Sequence, residues 1–164
     1  MNVVSIVRGA RFAAIVLAAL AITGCAKQQQ PDQTAMAGAA APGSQQDFVV
    51  NVGDRVFFDT DVTELSPTAQ ATLDKQAAWL NQYPRYTFTI EGHADERGTR
   101  EYNFALGARR AESTKNYLIA KGVAATRMKT ISFGKERPVA VCNDISCWSQ
   151  NRRAVTVLAG AAGS

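Results

Sequence analysis

The sequence predicts an α+β fold, a two-layer sandwich of helices on a mixed β-sheet in the order β-α-β-α-β-β, and three observations carry it. Tyr86-Thr87-Phe88-Thr89-Ile90 alternates large apolar residues with threonines, the period-two pattern of a strand with one face on a core. Stretches of helical periodicity lie on both sides of it. Two more stretches that read as strands, Met128 to Phe133 and Ala154 to Leu158, follow the second helix. Strands and helices interleaved in this way bury their apolar faces best as helices laid on a sheet.

Taken in order, Val56-Phe57-Phe58 reads as the first strand. Ser66 followed by Pro67 is a helix start, with the serine as N-cap and the proline in the first helical position. Ala69, Leu73, Ala77 and Leu80 form one apolar stripe, and Tyr83-Pro84 ends the helix, because a residue before proline is pushed out of the helical region. The second helix runs from Tyr102 to Ala120. In it Phe104, Ala111 and Leu118 recur every seven residues and are expected to face the sheet, leaving Asn103 and Arg110 turned toward its edge. Residues 47–158 are enough for one compact domain, and no internal repeat is visible. The small residues of 159–164 are expected to fray.

The densest chemistry lies between Glu91 and Ala111, EGHADERGTREYNFALGARRA. Gly92 and Gly98 permit backbone turns that side chains would block. Asp95 and Glu96 are expected in the loop between strand and helix, at the edge that the sheet leaves open. Asn103 and Arg110 share a helix face two turns apart, so Asp95 and Arg110 are expected to converge on one pocket. An acid and a guanidinium side by side suit a ligand that carries both an ammonium and a carboxylate. From spacing alone an internal salt bridge or a solvated charged face accounts for the same residues. His93 lies beside these acids, but the chain has neither an HExxH nor a GxSxG motif, and His93 is expected to be hydrogen-bonded at the loop base. Glu96 and Arg97 are expected to hold the loop or meet a partner. Asn151, Arg152 and Arg153 precede the last strand, and one arginine is expected to brace the pocket or lie on the surface.

The amino terminus carries a different message. Arg8 and Arg11 precede an apolar run from Phe12 to Ile22, and Ile22-Thr23-Gly24-Cys25 has the small residues and the cysteine of a bacterial lipoprotein cleavage site. The run is shorter than the roughly 20 residues that span a bilayer. Residues 1–24 therefore read as a cleaved signal, Cys25 as the lipidated residue, and 25–46 as lipidated cysteine plus flexible tether, rich in Gln, Ala, Gly and Pro. Such a tether has a mean reach of roughly 25 Å. Several acyl chains on Cys25 would anchor the chain without a spanning helix. No aspartate follows the cysteine, as in lipoproteins exported to the outer membrane. The net charge of +4 includes Arg8 and Arg11, and what remains argues for no nucleic-acid partner.

The run Gly92-His93-Ala94-Asp95-Glu96-Arg97-Gly98, with Glu101-Tyr102-Asn103, Leu106-Gly107-Ala108-Arg109-Arg110-Ala111, Phe133-Gly134-Lys135-Glu136-Arg137-Pro138 and Gln150-Asn151-Arg152-Arg153-Ala154-Val155, resembles the signature of peptidoglycan-associated lipoproteins, within the family of domains similar to the C-terminal domain of outer membrane protein A. The resemblance covers roughly 48–158. It implies noncovalent binding of the peptidoglycan peptide stem through diaminopimelate, whose free D-centre is a zwitterion. The family's motif aspartate falls on Asp95 and its motif arginine on Arg110. The family's Phe-Asp-x-Asp run is matched by Phe58-Asp59-Thr60-Asp61, with Thr60 where members often carry an aromatic. Asn103, Leu106, Gly92 and Arg153 complete the expected ligand-binding set. The resemblance further implies outer-membrane location facing the periplasm, and partners in the Tol system, above all TolB, competing with peptidoglycan for overlapping surface. No cofactor and no catalytic residue are expected.

Cys142 and Cys147, spaced C-x4-C in a turn-rich stretch, are expected to form a disulfide in an exported protein. A metal site would need more ligands than these two thiols and the single histidine of the chain supply. Two other readings of the chain are a murein hydrolase or amidase using His93, Asp95 and Glu96, and an inner-membrane stator with a wall-binding domain. The stator class needs a retained spanning helix with an acidic residue.

Overall fold

The computed structural model describes residues 40–159. The expected signal, Cys25, the first part of the tether and the tail after Ala159 lie outside the described residues. Four strands and three helices make up the body: β1 (Arg55–Phe57), α1 (Pro67–Gln82), β2 (Phe88–His93), α2 (Arg100–Ala120), β3 (Met128–Gly134), α3 (Ile145–Asn151) and β4 (Arg153–Leu158). The strands form one sheet in the order β1-β4-β2-β3. β2 and β3 are parallel, while β4 runs antiparallel to both β1 and β2. The architecture is the mixed-sheet α+β sandwich that the patterning predicts, with α3 as an added short helix.

Local chemistry sets the boundaries. The Ser66 side chain accepts from the Ala69 N–H at 3.2 Å, and Pro67 stands where no intrahelical donor is needed. β2 extends three residues beyond the expected Ile90, because as an inner strand it is paired on both sides: Phe88 opposes both Met128 and Leu158. The core gathers Leu73, Ala77 and Leu80 from α1, Val56 and Phe58 from the β1 end, Phe88 and Ile90 from β2, and Ala111 and Leu118 from α2.

Two expectations need correction. Phe104 does not face the core: it is 56% exposed, while Asn103, Leu106, Gly107 and Arg110 are buried. The reason is its position over β3, an edge strand with nothing beyond it to cover the ring. The packed chain also begins earlier than Asp47. Tyr86 Oη and Arg85 Nη2 both donate to the Gly43 carbonyl, at 2.7 and 2.6 Å, and Ser44 caps a helical turn at Gln45–Asp47. Phe48, wholly buried against Trp79, completes the dock, with the Trp79 indole donating to the Asp47 carboxylate at 2.8 Å.

Candidate functional site

β1 and β2 both run antiparallel to β4, so their carboxyl ends emerge at the same edge of the sheet. The loops that follow them meet there. From β2 the chain leaves the sheet after Ala94, turns through Gly98 at φ +85°, and starts α2 with Thr99 as N-cap. From β1 it turns through Asp61 at φ +57°, a left-handed conformation that aspartate tolerates better than most residues. Between the loops lies a cleft of ≈ 170 Å³ lined by Thr60, Asp61, Asp95, Arg97, Gly98 and Tyr102.

Asp95 is almost covered, and all of its acceptor capacity is engaged. One oxygen accepts from the Arg97 backbone N–H and Nε, both at 3.1 Å. The other accepts from Arg97 Nη2 at 2.6 Å and Arg152 Nη1 at 3.3 Å. Burial by itself raises the Asp95 pKa, but the hydrogen bonds from Arg97 and Arg152 outweigh it and hold the carboxyl below its ordinary value. Asp61 is far less occupied, with only a 3.4 Å bond from Tyr102 Oη. The Arg97 side chain is 41% exposed. Its Nη2 also reaches Thr60 Oγ1 at 3.3 Å, and its Nη1 has no partner among the described residues.

Arg110 is not in the cleft. It is 0% exposed, and its guanidinium donates to three backbone carbonyls: Val62 at 3.0 Å, His93 at 2.9 Å and Asp59 at 2.9 Å. The expected convergence with Asp95 is thus corrected: Arg110 sits near enough to Asp95 and Asp61 for both to favour its charge, yet it pairs with neither. Burial is the larger effect, and it lowers the Arg110 pKa to about 10. Functionally the side chain is a clamp that ties the β1–α1 loop to the end of β2.

The remaining predicted residues divide in the same way. Asp61 lines the cleft, whereas Asp59 contributes its carbonyl to Arg110 and Phe58 places its ring 5.2 Å from the Arg110 guanidinium. Asn103 lies beneath the loop and donates to the Arg97 carbonyl at 2.6 Å. Leu106 is buried on α2, away from the cleft lining. Gly92 is a packing glycine: a Cβ there would overlap the Gly107 carbonyl oxygen, so it lets α2 lie directly on β2. Arg153 bonds the Asn151 and Arg137 carbonyls, and the brace on Asp95 is its neighbour Arg152, which also donates to the Phe58 carbonyl at 3.0 Å. Adjacent residues entering a strand point to opposite faces, so one position decides which arginine reaches the cleft.

His93 departs from expectation in its bonding. It is buried at 2% exposure and stacks on Phe133, with ring centroids 5.5 Å apart, but neither ring nitrogen has a hydrogen-bond partner among the described residues. Burial, together with the charges of Arg153 and Arg137, lowers its pKa to about 4. Glu91 Oε2 lies 3.7 Å from Nε2, beyond hydrogen-bond range. Sequence reasoning missed Arg97 and Tyr102 as cleft residues, while Thr60 lay in the run matched to the pocket; Arg97, two positions after Asp95 in a glycine-bounded loop, carried the best available signal.

The profile of the OmpA family matches residues 57–152, the stretch that contains both loops and the clamp. The chain belongs to the OmpA family. It is similar to the peptidoglycan-associated lipoprotein of Rhizobium meliloti (strain 1021), at 69% identity over 87% of this chain and 84% of that protein. The peptidoglycan-associated lipoprotein of Brucella abortus biovar 1 is 61% identical over 87% of this chain and 88% of its own length. Among solved structures, the peptidoglycan-associated lipoprotein from Burkholderia pseudomallei shares 42% identity at a TM-score of 0.63, covering 65% of this chain and 90% of that one. The C-terminal domain of Helicobacter pylori MotB, at 20% identity and a TM-score of 0.62 over 66% of this chain and 86% of that one, shares the OmpA-family fold. No helix among the described residues is long and apolar enough to cross a membrane.

Proposed function

We propose that this OmpA-family chain is an outer-membrane lipoprotein, anchored through Cys25, whose domain binds the diaminopimelate-containing stem of peptidoglycan without covalent chemistry and so ties the membrane to the wall. One observation carries the reading: a small cleft at the sheet edge holds two carboxylates, Asp61 and Asp95, beside a half-exposed guanidinium, Arg97. A zwitterionic D-centre matches that set. Its ammonium falls to Asp61, which accepts only the 3.4 Å bond from Tyr102, and its carboxylate to Arg97, which Asp95 holds in place and whose Nη1 has donors to spare. Arg110, which the resemblance makes a direct contact, is covered by the carbonyls of Asp59 and Val62. Arg110 is 0% exposed, so a ligand carboxylate reaches its two remaining N–H groups only if the groups covering them move aside.

The names of the relatives support the same reading, and on that footing the Tol system supplies the protein partners, with TolB competing for the surface around the cleft. The hydrolase reading loses two of its three candidate groups, since His93 is sealed from solvent and Asp95 is committed to two arginines, and the third, Glu96, accepts from the Trp148 indole. Pull-down of the purified chain on sacculi tests the proposal. Asp61→Asn leaves the ligand's ammonium unpaired and Asp95→Asn releases the Arg97 that meets its carboxylate; at roughly 2 to 5 kcal/mol for a lost charge contact, each is expected to weaken retention about 30-fold or more. Sacculi with lysine in place of diaminopimelate are expected to bind poorly. Retention of both variants at parental levels places the site elsewhere, and soluble fragments released from sacculi point to a hydrolase. For the anchor, Cys25→Ser is expected to leave the membrane fraction while still binding sacculi.

A further inference from the structure

The wall-binding reading leaves α3 without a role, although this helix touches the cleft more closely than its distance in sequence suggests. Trp148, half-buried on α3, lies under the Arg97 guanidinium, with 4.2 Å from Cζ to the ring. Its indole N–H donates to Glu96 Oε1 at 3.0 Å. One side chain thus holds two successive residues of the loop that carries Asp95. Arg97 is gripped between this ring on one side and Asp95 with Thr60 on the other.

The helix itself has little to stand on. It has seven residues, of which only Cys147 and Asn151 are buried, and Ile145 is exposed. Helices of this length are not stable by themselves in water. Two closures hold it. The Asn151 amide accepts from the backbone N–H of Val139 at 2.8 Å and donates to the Ala140 carbonyl at 2.8 Å. Cys142, in the turn before the helix, forms a disulfide with Cys147 of α3, so the residue next to Trp148 is covalently tied to that turn.

We propose that Trp148, held in place by the Cys142–Cys147 disulfide, is a positioning residue for wall binding: it fixes the plane of the Arg97 guanidinium across the cleft and so strengthens recognition of the ligand's carboxylate. Asp95 fixes the guanidinium within its plane, and stacking on the ring keeps that plane from folding out toward solvent, which removes an ordering cost from the binding step. The disulfide makes this aid dependent on oxidation. The inference rests on the wall-binding reading above.

The test is a sacculus titration with the full mature chain in detergent, using diaminopimelate-containing sacculi and reading half-saturation. Trp148→Ala is expected to weaken binding roughly 5-fold, the loss of one partly exposed cation–aromatic contact. Trp148→Tyr, which keeps a ring face for the guanidinium, is expected to stay within about 2-fold of the parent. In an Arg97→Ala background Trp148→Ala is expected to cost nothing further, because the group it positions is gone. Reduction with dithiothreitol, or Cys142→Ser with Cys147→Ser, is expected to reproduce most of the Trp148→Ala loss. Parental binding by Trp148→Ala overturns the proposal, as does an equal loss with and without Arg97, which marks a general loosening of the fold. Unchanged binding after reduction removes the disulfide from it. A parent chain that fails to bind sacculi sinks the wall-binding reading instead.

Discussion

Arg110 and Arg97 belong to the same site, and the contrast between them separates its floor from its rim. Arg110 is wholly covered and spends its guanidinium on three backbone carbonyls, two in the β1–α1 loop and one at the end of β2. Arg97 is half in solvent, braced by Asp95 and by the Trp148 ring, with donors left over. A buried charge can persist only where its donors are matched by fixed acceptors, so Arg110 is an architectural residue. An exposed charge keeps part of its hydrogen-bonding capacity in reserve and can exchange partners, which is what recognition of a reversible ligand needs. The floor decides where the loops are; the rim decides what they hold.

The largest expected effect tests the floor. Arg110→Ala leaves the carbonyls of Asp59, Val62 and His93 without their donor and is expected to destabilise the domain by about 3 to 5 kcal/mol in urea titrations, with wall binding lost alongside. Arg110→Lys is expected to recover little, since one ammonium cannot span carbonyls set out for a planar fork. A circular dichroism melt identical to the parent's would erase the distinction between floor and rim.

The next effect belongs to His93, also in the floor. Its pKa is lowered in the folded chain to about 4, so between pH 6.5 and about 4 the unfolded chain carries a proton that the folded chain does not. Stability from this source is full above about 6.5 and falls as the pH drops toward 4, by a total on the order of 3 kcal/mol. Replacing the ring by leucine is expected to flatten that part of the stability curve, measured as urea midpoints from pH 7 to 4. An unchanged slope would mean that the ring takes up its proton in the fold, for instance by closing the 3.7 Å gap to Glu91.

At the rim the effects move from stability to affinity. Arg97→Ala is expected to melt close to the parent yet bind sacculi roughly tenfold more weakly, the loss of one charge-assisted contact. A variant that unfolds would move Arg97 to the floor. The smallest effect is expected from Arg100, whose bond to Glu136 at 3.0 Å joins side chains 75% and 50% exposed outside the cleft. Arg100→Ala is expected to change stability by no more than about 0.5 kcal/mol and binding hardly at all, as exposed ion pairs do.

Much of this was legible without coordinates. The alternation at Tyr86–Ile90, the Ser66-Pro67 start and the stripe from Ala69 to Leu80 depend on contacts between residues near in sequence, and they placed a strand and a helix within a few residues of where they lie. The shared helix face of Asn103 and Arg110 was likewise sound, since both are buried on one side of α2. What the spacing left open was depth. Seven residues along a helix set a direction, and whether that direction ends in solvent, in a cleft or beneath a loop depends on the β1–α1 segment some fifty residues away, which covers Arg110.

The periodicities, caps and loop motif of the sequence by themselves determined the α+β order, the edge of the sheet where the charges gather, and the acid Asp95 at its centre, because each is written in neighbours within one or two turns. The tertiary structure alone decided which arginine meets that acid. Arg152 was chosen over Arg153 by the alternation of faces on entering β4, Arg97 over Arg110 by the overlying loop, and Trp148 was brought in by a short helix pinned through Cys147. Those choices turn on contacts between distant segments, and the free energy of such contacts depends on burial and geometry that no local pattern encodes.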